Sequence, residues 1–126
     1  MSEDKRYAVG IDLGTTNSVL AWVDLNQCDR DTAPVEVMEI PQLTAPGEVE
    51  ERRQLPSFLY LPHPDELRSE DKVLPWREKV DHIVGQLARE LGSKTPIRLV
   101  SSAKSWLCHA GVNPKDAFLP IEAPEE

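Results

Sequence analysis

Asp12 lies between Ile11 and Leu13 and is followed at once by Gly14, Thr15, Thr16 and Asn17. A strand that only filled a core would not place a carboxylate there. A glycine lets a ligand approach the main chain closely. Successive N–H groups in such a turn form a concave nest for anions, and threonine hydroxyls add donors for phosphate oxygens. Asp12 is placed to hold the water shell of a Mg²⁺ ion, which often takes one carboxylate plus phosphates. The pattern is therefore that of a phosphate and magnesium site. It is not a Walker loop, because no Gly-Lys-Ser/Thr follows. The same residues also suit a plain hairpin turn with solvated threonines, and chemistry alone does not separate the two.

The flanking elements are short. Tyr7, Val9, Ile11 and Leu13 alternate with Ala8, Gly10 and Asp12, the period of a strand with one apolar face and one small, acidic face. Val19–Leu25 forms a second strand and closes a hairpin, and Val35–Ile40 alternates as a third, so the first forty residues read as an antiparallel meander. Residues 41–56 read as a mobile, charged loop, followed by a short strand in Ser57–Pro62 and a polar, turn-rich stretch. Trp76, Val80, Ile83, Val84, Leu87 and Leu91 recur at helical spacing and predict one helix over 76–91; a strand at Val80–Val84 with a helix from about Gly85 is the competing reading. After Pro96, the spacing of Leu99, Val100, Ala103, Trp106 and Leu107 predicts a helix stopped by Gly111. Eleven prolines shorten every element and forbid a long-helix bundle.

With 126 residues the chain has the size of one domain. It carries 14 Lys and Arg against 22 Asp and Glu, a net charge of −8. That balance argues against nucleic acid or an anionic membrane as partner. No apolar run approaches spanning length, and the charged opening lacks the pattern of a signal peptide. Cys28 and Cys108 show no paired spacing and read as reduced thiols of a cytoplasmic protein. His63, His82 and His109 have no metal-ligand spacing, and Trp22, Trp76 and Trp106 read as packing aromatics. The ending "FLPIEAPEE" looks like a chain cut at a loop.

The stretch "VGIDLGTTNSVLAW", Val9 to Trp22, closely resembles the first phosphate-binding motif of the DnaK-type heat-shock chaperones, within the actin and sugar-kinase ATPase superfamily. Three further islands follow in the family's order. "LPSFLYL" (Leu55–Leu61) is similar to its "TPS" segment and strand, "IVGQLA" (Ile83–Ala88) to its "VGxxA" segment, and "SSAKSWL" (Ser101–Leu107) to the helix carrying its catalytic lysine. The first island is highly specific; the others gain weight from their order. Val35–Leu55 does not follow the family pattern, and Lys104 is followed by Ser-Trp where Arg-Leu is usual, which suggests a divergent branch.

The resemblance implies an α/β fold: an N-terminal antiparallel meander with short strands and helices, part of an actin-like, ribonuclease H-like ATPase lobe. It divides the chain into a first-lobe core over about residues 1–40 and a subdomain over about 41–126 that carries the Lys104 helix. It favours the strand at Val80–Val84 with a helix from about Gly85. It implies that Gly14, Thr15, Thr16 and Asn17 lie on the phosphates of ATP or ADP, that Asp12 organises hydrated Mg²⁺, and that Lys104 acts on the transferred phosphoryl group. Partners of the parent protein would be unfolded polypeptides and co-chaperones. The family's second phosphate loop, adenosine segment and peptide-binding domain do not appear in these 126 residues, so the chain by itself is expected to be inactive. A carbohydrate kinase of the same superfamily and a non-enzymatic actin-like scaffold are the competing functions.

Overall fold

A computed structural model describes residues 5–106 and Gly111. They form a mixed α/β fold, mostly antiparallel strands in three small sheets with two short helices. Strand β1 (Tyr7–Leu13) pairs antiparallel with β2 (Asn17–Asp24) along its whole length, from Tyr7 opposite Asp24 to Leu13 opposite Ser18. β3 (Glu36–Val37) pairs with β2, completing the meander, and is shorter than the strand expected over 35–40. The second strand ends at Asp24; Leu25–Gln27 is a 3-10 turn whose Asn26 N–H donates to the Asp24 carboxylate.

The expected loop over 41–56 is instead a hairpin. β4 (Ile40–Ala45) and β5 (Glu48–Arg52) pair around Pro46 and Gly47. Gly47 has φ +74°, the left-handed geometry that follows proline in a type II turn. The strand was hidden because β5 is exposed throughout and its row of glutamates reads as loop composition. β6 (Leu55–Pro56) then returns to pair with the start of β2.

β7 (Phe58–Tyr60) is the centre of the third sheet, flanked by β8 (Ile83–Val84) and β9 (Leu99–Ser101). Helix α1 (Gln86–Lys94) covers it. The single helix over 76–91 does not form; the order of the strand-then-helix alternative does, with the strand confined to Ile83–Val84 instead of 80–84. Gly85 breaks the pattern with φ +94°, a conformation that side-chain-bearing residues rarely adopt. The helix over 97–111 is also overturned. Pro96–Arg98 is a 3-10 turn, β9 follows, and only Ala103–Trp106 is helical (α2). β7 needs a partner on its second edge, and that pairing outweighs the helical spacing; the expectation for Leu107 and Cys108 lies outside the described residues.

Leu43, Tyr60, Ile83, Leu87 and Ala88 form the buried core, with Phe58, Leu67, Leu74, Leu91 and Leu99 packed against it. Gly92, deep in α1, allows the helix to lie against Leu99, where a Cβ would collide with the leucine side chain. Gln42 is only 2% exposed, and its amide joins three segments. Its Nε2 donates to the Gln54 carbonyl at 3.0 Å, and its Oε1 accepts from the Gln86 N–H at 3.0 Å, in the first turn of α1. The helix is thus capped from another sheet, not by its own N-cap side chain.

Replacing Gln42 with Leu leaves the Gln86 donor without that partner and is expected to cost about 2–3 kcal/mol. Urea denaturation measures it; an unchanged midpoint would show that the bridge is dispensable. The Tyr60 hydroxyl donates to Glu66 at 2.9 Å. Burial pushes its phenol above the ordinary value; Glu66 adds to the rise and a hydrogen bond with Thr95 opposes it. Above about pH 10 the unfolded phenol loses its proton while the folded one retains it. Stability is therefore full below that pH and falls as pH rises above it. Urea midpoints between about pH 9 and 11 should show this fall, and Tyr60→Phe should lessen it.

Candidate functional site: the Gly14–Asn17 turn

The turn is closed by a bond from the Gly14 N–H to the Asn17 carbonyl at 3.0 Å. A Cβ on Gly14 would run into that same carbonyl oxygen, so glycine is required there by a close approach of the backbone. Ser57, immediately before β7, holds the turn from outside. Its hydroxyl donates to the Gly14 carbonyl at 2.8 Å, its N–H donates to the Thr16 carbonyl at 2.8 Å, and Ser18 Oγ lies 3.1 Å from its Oγ. These bonds use the Gly14 and Thr16 carbonyls. Thr15 and Thr16 are exposed, and no hydrogen bond within the described residues engages their N–H groups or hydroxyls. The Gly14, Thr16 and Asn17 carbonyls are thus occupied, while the Thr15 and Thr16 N–H groups stay free, a polarity that suits an anion.

Asp12 is exposed on β1, opposite Val19, and shares its face with Ala8 and Gly10. A Cβ built on Gly10 meets nothing within 4 Å, so this face is open. Asp12 makes no ion pair or side-chain hydrogen bond within the described residues. Lys104 is exposed on α2. The register of β7 and β9 sets Ser101 opposite Phe58, the residue after Ser57. From there Ser102, at φ +52°, turns the chain into α2. The strand order therefore brings the start of the Lys104 helix to the same end of β7 as the Gly14–Asn17 turn. No hydrogen bond or ion pair joins Lys104 to Asp12 or to the turn.

The donor set suits a phosphate group: free N–H and hydroxyl groups on Thr15 and Thr16, no side chain at Gly14, and an unpaired carboxylate on the adjoining strand. No cluster of three or more His, Cys, Asp or Glu side chains able to hold a metal occurs among the described residues, so Asp12 alone would hold a cation, through water. His82 bonds Asp81 at 2.7 Å, and His63 lies 3.7 Å from Asp65. Cys28 is free, its Sγ 3.3 Å from the Asp24 carbonyl oxygen; Cys108 and His109 lie outside the described residues. Ser57 is the residue that sequence reasoning underused. It sits inside the quoted "LPSFLYL" segment, and only the fold reveals that it fastens the turn.

β1 is unusual in a second respect. Tyr7, Val9, Ile11 and Leu13 are 48–63% exposed, and the strand's outer edge has no partner among the described residues. Tyr7 meets Trp22 edge-on at 5.5 Å, and these two with Val9 and Leu20 line a groove of about 350 Å³.

No protein-family model, curated protein or solved structure matches the chain. No helix among the described residues is long and apolar enough to cross a membrane.

Gly14→Ala should destabilise the chain by about 1–3 kcal/mol through the collision with Asn17, and Ser57→Ala by about 1 kcal/mol. Gly10→Ala should change stability by less than about 0.5 kcal/mol. Urea denaturation ranks the three, and a Gly10 variant as damaging as the Gly14 variant would refute the steric account.

Proposed function

We propose that the chain contributes the first phosphate-binding turn of an ATP-binding, DnaK-related chaperone. In this reading Gly14, Thr15, Thr16 and Asn17 receive the phosphates of ATP or ADP, and Asp12 orders the water shell of Mg²⁺. Lys104 approaches the transferred phosphoryl group from the α2 side. The observation that carries the reading is the polarity of the turn: Ser57 occupies the Gly14 and Thr16 carbonyls, while the Thr15 and Thr16 donors stay free beside an unpaired Asp12. The open β1 supports it further. A strand with apolar residues on one face, small and acidic residues on the other, and exposure on both suits the interior of a larger sheet. Further polypeptide would supply the remaining strands, the second wall of the cleft and the adenine pocket. The clients of such a parent are unfolded polypeptides.

Bound nucleotide supplies the phosphoryl group and its magnesium. The chain's part is to bind and orient. The Thr15 and Thr16 donors fix the phosphate oxygens, the missing side chain at Gly14 permits close approach, and Asp12 positions water. Phosphoryl transfer depends mainly on such positioning and on charge stabilisation. The chain alone should not hydrolyse ATP at a useful rate. Each hydrogen bond from the turn contributes about 1 kcal/mol net, and millimolar binding already requires about 4 kcal/mol.

Titration of Mg-ATP into the ¹⁵N-labelled chain is the test. Amide shifts should centre on residues 12–17, saturate at about millimolar concentration or above, and lose their Mg²⁺ dependence in Asp12→Asn. Absence of any shift at Gly14–Asn17 would defeat the nucleotide reading. Micromolar affinity would mean that the site is complete without further polypeptide.

A further inference from the structure

A second feature is independent of the nucleotide reading. In a chain of net charge −8, Lys72, Arg77 and Lys79 converge on one cleft of about 440 Å³, with Ser69, Val80 and Asp81. None of the three cations forms an ion pair within the described residues. The one carboxylate lining the cleft, Asp81, is engaged by the His82 ring at 2.7 Å, with a weaker electrostatic pull from Arg77. Val80 also lines a second, apolar groove of about 160 Å³, with Leu43, Leu74, Trp76 and Ile83 among its walls. Trp76 is 62% exposed at its side.

Size and charge together define an occupant. A cavity of about 150 Å³ takes one benzene-sized group, so the groove fits a single aromatic or branched side chain. The basic cleft is too roomy for one phosphate, and its cations come from separate segments: Lys72 from the 3-10 turn Ser69–Lys72, Arg77 and Lys79 from the loop after it. Carboxylates spaced along an extended backbone match this spread, and complementarity of that kind sets partner choice. We propose that the cleft and groove form a docking site for an acidic peptide segment of a partner protein, with one bulky apolar residue seated beside Trp76 and flanking carboxylates on Lys72, Arg77 and Lys79.

The probe is a blocked pentapeptide of phenylalanine flanked on each side by two glutamates, titrated into the full chain at about 20 mM salt. Amide and indole shifts should appear across residues 69–84, including Trp76, and leave Gly14–Asn17 unmoved. Raising the salt to about 300 mM should weaken binding several-fold. The double variant Lys72→Glu, Lys79→Glu should lose about tenfold or more in affinity, with Lys79→Glu alone, at an exposed position, as the variant least able to disturb folding. Replacing phenylalanine by alanine in the peptide should weaken it comparably. No shift at about 5 mM peptide would overturn the proposal. So would equal affinity for a peptide with glutamines in place of the glutamates, or shifts confined to the apolar face of β1.

Discussion

The amide of Gln42 ties one sheet to the approach of another and to the start of the helix. It belongs to β4, it donates to the backbone just before β6, and it receives the first turn of α1. A buried amide must find partners or lose several hydrogen bonds to water, so its position is set by those partners. Gly85 is bound to the same point. A Cβ there would strike Gln42 Oε1 and Leu55 Cδ1, so the helix can start only where a glycine lets it pass close to the amide. Once α1 is fixed, Leu87 and Ala88 fall onto Tyr60 and Ile83, and Gly92 settles against Leu99. β7 is then held from both edges and from one face. Ser57, the residue before it, inherits that rigidity and passes it to the Gly14–Asn17 turn through two bonds of 2.8 Å.

The hairpin around Asp12 was legible because its alternation is clean on both sides of one short turn. β4 and β5 were not, because β5 buries nothing and its charge masks a strand period; the Pro46-Gly47 pair was the available signal. The two helix readings failed for one reason. Apolar residues at three- and four-residue spacing also occur when a short strand abuts a helix, and periodicity cannot see the β7 edges that claim residues 83–84 and 99–101. The strand-then-helix order around Gly85 was open in the sequence only as the competing reading, which the spacing of apolar residues did not favour. At the site, the candidate residues follow from residue type, whereas the role of Ser57 depends on a contact with Gly14 across 43 positions of sequence. No local pattern encodes such a contact.

The two ends of the molecule differ in character. The core around Tyr60 buries Leu43, Ile83, Leu87 and Ala88, and the buried amide of Gln42 and the Tyr60 hydroxyl are bridged. The β1 face presents large apolar side chains to solvent; among the described residues β2 pairs with it, and the Arg6–Asp24 pair at 3.5 Å and the stacking of Arg6 over Tyr7 add local contacts. A protein ordinarily blunts an open edge with a bulge, a proline or an inward charge. β1 has none of the first two, and Asp12 is its single charge.

That open edge bears on synthesis. The β1–β2 hairpin joins residues close in sequence, and hairpins form within about 1–10 μs. It can therefore exist as soon as Asp24 has left the ribosome. Leu99, which closes the core, is made about 75 residues later, a delay on the order of 4–15 s at ordinary elongation rates. For those seconds the nascent chain can sample a hairpin with a bare edge and an apolar face, marginally stable on its own, before β7, α1 and β9 exist to anchor the turn. Neighbouring nascent chains on one messenger would present the same edge to one another. The interval before Ser57 emerges is thus when this sequence is most exposed to intermolecular strand pairing, and slow codons after residue 24 would lengthen it.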